Sequence, residues 1–156
     1  MARMEIVRPI LALIHVGAAL IYITGYVSTK TLSRLAVAEA DPTRRRVIFS
    51  LGDKFDFRYQ IVGGMLVGPS GLLLALVNGY SFIQAWVALS IVIYAALVFI
   101  GAVLWRRRSI AVRAALDAGD DARVVWLLTE PRARALALVE LALMVTIVAL
   151  MVLRPG

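Results

Sequence analysis

The sequence has no cysteine and a single histidine, His15, among its 156 residues. The absence of cysteine excludes disulfides, thiolate catalysis and cysteine-based metal sites. A single histidine also excludes a bis-histidine haem site built by one copy of the chain. No P-loop, dinucleotide-binding glycine fingerprint, His-Glu-x-x-His motif or Ser/His/Asp set occurs. The sequence therefore carries no signature of a catalytic site.

Apolar residues, by contrast, are in excess. They make up 62% of the chain, against about 45–50% in soluble domains. Four runs approach the ~20 apolar residues needed to cross a bilayer, at about 9–28, 60–77, 82–105 and 135–153. No small-residue cleavage site follows the first run, which we interpret as a retained helix. The prediction is an all-α, four-transmembrane-helix bundle forming a single integral membrane domain over residues 1–156.

Charge is concentrated in two short windows. The net charge is +7, and fourteen of the 17 basic residues lie within residues 30–58 and 106–134. Because these windows adjoin apolar runs, anionic headgroups are the expected partner, and nucleic acid is not. The positive-inside rule places both basic loops in the cytoplasm and both termini outside, in a bacterial cytoplasmic (inner) membrane. The predicted membrane-surface residues are Arg44, Arg45, Arg46, Arg106, Arg107 and Arg108.

Both basic loops are predicted to be partly helical. Asp41-Pro42 is typical of an N-cap and first-turn proline, with Gly52 as the helix stop, and residues 53–56 are expected to form a charged interfacial turn. Residues 46–51 also align with residues 123–128. This likeness predicts a parallel 2+2 repeat. The alternative is that two amphipathic segments share a composition by convergence.

Two ionisable side chains lie inside the predicted spans, His15 and Glu140. Such residues are candidates for a functional site by default. Glu140 is expected at the depth of Thr24 and would stay ionised only if a cation such as Arg58 or Arg134 reaches it. It is either a proton or cation site or an interhelical hydrogen bond that fixes packing.

His15 is expected in an outer layer with Ser70 and Thr146. It is either a haem or copper ligand, a proton carrier, or a neutral imidazole bonded to a helix carbonyl or hydroxyl. Pro69 should kink the second helix and free a carbonyl near this layer.

Small residues predict close helix contacts. Gly17 and Gly25 lie on the first helix, and Gly64-x-x-x-Gly68 lies on the second, just before Pro69. This spacing lets two backbones approach closely in a membrane. It indicates tight packing without identifying a partner.

His15 and the small residues after it, including Gly17 and Gly25, resemble the first helix of a group of small bacterial membrane proteins. The group includes the CopD-like copper-resistance domain, a related uncharacterised four-helix family and, more distantly, the HemJ haem-pathway oxidase. The resemblance implies that His15 ligates haem or copper. HemJ-like chemistry also needs a lysine in a later span, and the lysines here, Lys30 and Lys54, are assigned to the first basic loop.

Three function classes follow. The preferred one is a non-enzymatic accessory or structural subunit of a larger bacterial membrane complex, associating with other membrane subunits or with itself. The first alternative is a haem- or copper-handling membrane protein centred on His15. The second is a small transporter that uses Glu140.

Overall fold

The computed structural model describes residues 2–154, with side chains described from Ile6 onward. These residues form helices and short connections and contain no strand. The helices are α1 (Ala2–Ala38), α2 (Pro42–Val77), α3 (Ala85–Asp117), α4 (Asp121–Thr129) and α5 (Pro131–Leu153). All but α4 are long and apolar enough to cross a membrane, which confirms the all-α bundle of four transmembrane helices.

The first three helices are much longer than a bilayer requires. α1 alone has 37 residues, or about 55 Å at ~1.5 Å per residue, whereas the hydrocarbon layer is ~30 Å thick. The excess lies at the end that carries the basic windows. The first window and the beginning of the second are therefore helix extensions, and the helix bounds exceed the predicted spans.

Two local predictions for the first basic window are wrong. Gly52 does not stop a helix, because α2 runs without a break from Pro42 to Val77. The segment 53–56 is likewise helical and forms no turn. Gly52 is a contact residue instead, since a Cβ placed there would lie 3.5 Å from the Cβ of Leu32. A glycine inside a helix costs only about 0.5–1 kcal/mol relative to alanine, so a single glycine need not end a helix.

Side-chain caps set the starts of α2 and α4. The Asp41 carboxylate accepts hydrogen bonds from the backbone of Thr43 and Arg44, so the predicted N-cap is confirmed. Asp120 caps α4 in the same way through the Arg123 N–H. Gly119 precedes it with φ +70°, a conformation that favours glycine.

The extensions of α1, α2 and α3 pack with α4 around an apolar core of their own. We call this layer of helical segments the cap. Its buried residues are Ala36, Phe49, Val112, Ala115, Leu116, Val124 and Leu127. Among the spans, a separate core contains Tyr26, Ile93, Leu97 and Met144. The two basic loops thus form one folded layer rather than two independent surface helices.

A buried arginine ties this layer together. Arg45 is 8% exposed. Its guanidinium donates to the Ala36 carbonyl (3.2 Å), the Glu39 carbonyl (2.7 Å) and the Asp121 carboxylate (2.6 Å). Carbonyls at a helix C-terminus lack partners within the helix and attract cations. Arg45 therefore caps α1 while joining α2 to α4.

The spans form an incomplete ring. α1 packs along α2, α2 meets α3 after the Asn78–Gln84 connection, and α3 packs along α5, whereas α1 and α5 meet sparsely. The antiparallel pairing of α2 and α3 is supported by the Tyr94 hydroxyl, which donates to the Gly64 carbonyl at 2.9 Å. The proposed 2+2 repeat stays a prediction. In the first half the cap helix runs on into the span, but in the second half it breaks at Glu130.

Candidate functional site: a buried charge cluster

Glu140 is the most deeply buried polar side chain described, with 0% of its surface exposed. Its Oε1 accepts a hydrogen bond from Gln60 Nε2 at 3.0 Å. Its Oε2 accepts one from Trp105 Nε1 at 2.7 Å. Both oxygens are therefore engaged by donors from two other spans, as an ionised carboxylate in an apolar region requires.

The counter-charge is Lys30. Its Nζ lies 3.3 Å from Glu140 Oε2. The same ammonium lies 3.3 Å from the centre of the Trp105 ring and 5.2 Å from that of Tyr26. Aromatic faces attract cations, so the ammonium is surrounded by compensating groups. α1, α2, α3 and α5 contribute Lys30, Gln60, Trp105 and Glu140, one side chain each.

The backbone at two of these positions departs from α-helical geometry. α2 contains a π-helical segment at Asp56–Ile61, which includes Gln60. α3 contains another at Ile100–Trp105, which ends at the indole donor. Each π turn inserts an additional residue and so shifts the register of the side chains beyond it. Such insertions are frequent at functional sites, and here both serve the same carboxylate.

The sequence identified Glu140 but not its partners. Lys30 was assigned to a loop, and that assignment is wrong because α1 continues to Ala38. Neither Arg58 nor Arg134 pairs with Glu140; Lys30 does. A signal was present: Tyr22, Tyr26 and Lys30 follow each other at intervals of four and share one helical face with His15.

This face of α1 makes a polar column through the bundle. His15 and Lys30, with Tyr22 and Tyr26 between them, are 15 positions apart, or roughly 22 Å of helix at ~1.5 Å per residue. The Tyr26 hydroxyl donates to the Ala137 carbonyl on α5 at 3.0 Å. Protonatable groups thus extend from the Glu140 cluster toward the opposite end of the spans.

His15 marks the far end of the column. It is 9% exposed, and its Nδ1 lies 3.0 Å from the Val67 carbonyl and 3.2 Å from Ser70 Oγ. Since a carbonyl only accepts, Nδ1 carries the proton. The predicted layer with Ser70 is present, next to Pro69, whereas Thr146 is exposed and bonds back to the Ala142 carbonyl.

Among the residues described, no group of three or more histidines and acidic residues is placed to hold a metal ion. His15 Nε2 is the one histidine nitrogen not engaged by Val67 and Ser70. The haem or copper role of His15 stays a prediction. Thr24, expected beside Glu140, is exposed on the outside of α1.

The predicted packing glycines differ in what they contact. A Cβ on Gly25 would lie 2.3 Å from the backbone nitrogen of Gln60, and one on Gly68 would lie 2.3 Å from the Tyr94 ring. Gly64 borders the Tyr22 ring at 3.5 Å, while Gly17 has nothing within 4 Å. Gly25 therefore positions the site directly, because the α2 backbone at Gln60 rests on it.

The six predicted membrane-surface arginines have different environments. Arg44, Arg106 and Arg107 are exposed. Arg45 is buried in the cap, and Arg46 donates to the Leu116 carbonyl and pairs with Asp117. Arg108 pairs with Glu130 at the start of α5, with both side chains 14% exposed. Half of the set thus holds the cap together.

A cavity of about 820 Å³ adjoins the cluster. Three partners of Glu140, namely Lys30, Gln60 and Trp105, line it, and Glu140 lies behind them. The cavity extends toward the cap, where Arg34, Arg108 and Arg134 also line it. The partners of Glu140 therefore form one wall of a space large enough for a small molecule.

A family model described as predicted integral membrane protein (DUF2269) matches residues 9–155, and the chain belongs to this family. Neither a curated protein nor a solved structure matches the chain. Integral membrane location and a fold of four candidate spans are thus shown together. The resemblance to CopD-like and HemJ-like proteins stays a prediction from the residues of the first helix.

Proposed function

We propose that the protein is a small proton-linked membrane transporter in which Lys30 binds an anionic substrate and Glu140 carries the proton. The observation that carries the proposal is the buried Lys30–Glu140 pair at 3.3 Å, built by all four spans at the wall of a cavity. Composition alone favoured an accessory subunit, since it indicated too few polar groups for a site. The geometry supplies those groups.

The chemistry follows from charge balance. In the resting site the ammonium and the carboxylate neutralise each other. If Glu140 takes up a proton, Lys30 loses its counter-ion and can bind an anion from the cavity. The loaded site, with a neutral carboxylic acid and a lysine–anion pair, is again neutral overall. Both states avoid an unpaired charge in a low-dielectric region, which would cost several kcal/mol.

Two further observations support this scheme. The polar column of His15, Tyr22, Tyr26 and Lys30 provides protonatable groups along the spans. The sparse packing between α1 and α5, which carry the two members of the pair, lets these helices separate more easily than the closely packed α1 and α2. A change in one ion pair can then shift the balance between two arrangements of the bundle.

The test is proton flux in vesicles of mixed neutral and anionic phospholipid that enclose a pH-sensitive dye. An imposed pH gradient, acidic outside, should drive faster proton uptake in vesicles with protein than in protein-free vesicles, because cotransport of one proton with one anion carries no net charge. Glu140→Gln should abolish the difference, while Asp117→Asn, which removes an exposed carboxylate of the cap, should preserve it. Wild-type uptake equal to that of protein-free vesicles, or uptake unchanged by Glu140→Gln, overturns the proposal.

An accessory-subunit role is the second candidate. Its specific support is Gly17, which has open space beside it on α1 between the exposed Leu13 and Leu20. Such a surface suits a close contact with another transmembrane helix. Native mass measurement in mild detergent tests this role, and a stable lone monomer would count against it.

A further inference from the structure

The cavity beside Lys30 has two chemically different ends. Toward the cap it is lined by the basic side chains of Lys30, Arg34, Arg108 and Arg134. Toward the middle of the spans it is lined by apolar residues: Val27, Ala137, Leu138 and Leu141. A ligand that fits both ends has an anionic head and an apolar body.

The apolar end is continuous with the outer surface of the spans. Val27 on α1 is 54% exposed, and Leu138 and Leu141 on α5 are 66% and 44% exposed, yet all three line the cavity. They lie on either side of the gap where α1 and α5 pack sparsely. In a membrane this gap opens toward the acyl chains rather than toward water.

The basic end retains hydrogen-bonding capacity. Arg108 uses Nη1 for Glu130, while its Nη2 is buried and has no partner among the described residues. Thr29 Oγ1, another atom of a lining residue, is in the same state. Buried polar atoms without partners are uncommon and require an explanation. An anionic oxygen is an acceptor that suits both the arginine N–H and the threonine O–H.

Two carboxylates also line this cavity, Asp53 and Asp56. Asp53 is already engaged, because Ser109 and Arg113 donate to its two oxygens at 2.9 and 2.7 Å. Among the residues that line the cavity, the four basic ones outnumber these two acidic ones. The balance favours an anion over a cation.

We propose that the anion bound by Lys30 is the headgroup of an anionic phospholipid, which reaches the cavity sideways through the gap between α1 and α5. This inference rests on the transport function proposed above and names its substrate class. The depth is suitable, since Trp105 and the adjoining Arg106–Arg108 run are typical of the membrane–water interface. The phosphate contacts the basic end while one acyl chain stays against Val27 and Leu138.

Trp105 provides a direct probe. In a Trp86→Phe/Trp126→Phe background, Trp105 is the single tryptophan and faces the cavity. The protein is placed in nanodiscs of phosphatidylcholine, and phosphatidylglycerol or phosphatidylcholine with brominated acyl chains is titrated in. Brominated phosphatidylglycerol should quench Trp105 at much lower mole fraction than brominated phosphatidylcholine.

The matched variants remove two arginines each. Arg34→Gln/Arg134→Gln removes exposed charges from the basic end and should weaken the apparent affinity for phosphatidylglycerol about 30-fold. Arg106→Gln/Arg107→Gln removes two exposed charges that do not line the cavity and should change little. Equal quenching by the two lipids, or equal effects of the two double variants, overturns the proposal.

Soluble glycerol phosphate separates the two sources of the anion. If it displaces the brominated lipid at comparable concentrations, the apolar end contributes nothing and the lipid assignment fails. The proposal survives if displacement requires a far higher concentration. Failure of the transport function is distinguishable: quenching specific for phosphatidylglycerol with no Glu140-dependent proton flux leaves a lipid site in a protein that is not a transporter.

Discussion

Lys30 and Glu140 form an ion pair, with 3.3 Å between Nζ and Oε2, although the sequence suggested a loop for one and a span for the other. The pair exists because α1 continues to Ala38 as a helix and keeps Lys30 on the face that carries Tyr22 and Tyr26. It joins the first and last spans, which otherwise pack sparsely. The proposed activity of the bundle depends on it.

Removing one member of this ion pair should destabilise the protein more than removing both. Lys30→Met leaves the Glu140 carboxylate buried without a cation, and we expect a loss of about 3–5 kcal/mol in the free energy of unfolding. Lys30→Met/Glu140→Gln removes both charges, and the amide can still bond Trp105 and a flipped Gln60. The double variant should therefore be more stable than Lys30→Met. Unfolding in mixed detergent micelles measures both, and a double variant that is less stable contradicts the ion pair.

The sequence was sufficient for the architecture of the spans. An apolar run of about 20 residues has few structural explanations other than a membrane-spanning helix. The fold of four spans is confirmed. The N-cap at Asp41 was also local enough to be identified from neighbouring residues. The cap was not predictable, because the burial of Arg45 depends on α4, which lies far along the chain.

The sequence identified only part of the candidate site, because the contacts of the remaining residues depend on distant elements. A carboxylate in an apolar run is conspicuous, so Glu140 was found. Gln60 and Trp105 contact Glu140 from two π-helical segments. The additional residue of a π turn leaves no recognisable pattern in the sequence. Lys30 was missed because the first span was predicted to end at residue 28. Its helical spacing from Tyr22 nevertheless indicated that both side chains share one face of the helix.

Gly25 should tolerate no side chain. A Cβ there would lie 2.3 Å from the Gln60 nitrogen and 2.8 Å from its Cα, so Gly25→Ala forces α1 and α2 apart. We expect a loss of about 1–3 kcal/mol in the free energy of unfolding. Gly17→Ala is the matched control, since Gly17 has nothing within 4 Å, and it should be neutral or stabilising. Thermal unfolding of both variants in detergent checks the difference, and similar midpoints would disagree with the close approach at Gly25.

Arg45 should act as a structural residue of the cap rather than as a membrane-surface charge. Arg45→Met leaves the Ala36 and Glu39 carbonyls and the Asp121 carboxylate, which is 40% exposed, without their donor, and should cost about 1–3 kcal/mol. Arg44→Met, one position earlier, removes a side chain that is 75% exposed and should change stability by less than about 0.5 kcal/mol. Limited proteolysis of the cap and thermal unfolding report both effects. Equal behaviour of the two variants would place Arg45 at the surface.

His15 should be replaceable by a residue that retains the Nδ1 donor. In His15→Asn the side-chain NH₂ occupies nearly the same place and can donate to the Val67 carbonyl, whereas His15→Ala leaves that carbonyl and Ser70 with one partner fewer. We expect Asn to match the wild type in thermal stability and Ala to lose about 0.5–1.5 kcal/mol. If His15 instead ligates haem through Nε2, the purified wild type shows a Soret band that Asn abolishes, and the structural role is contradicted.

The absence of cysteine makes the membrane orientation directly measurable. Single cysteines can be introduced at Ser81, in the connection between α2 and α3, and at Ala122, an exposed residue of α4, without background labelling. The excess of basic residues in the cap predicts that Ala122→Cys faces the cytoplasm and Ser81→Cys the outside. A membrane-impermeant maleimide should therefore label Ser81→Cys in intact cells and Ala122→Cys only after permeabilisation. The reverse pattern would mean that both termini are cytoplasmic. It would also place the basic end of the cavity at the outer leaflet, because Arg34, Arg108 and Arg134 lie on the cap side of the spans.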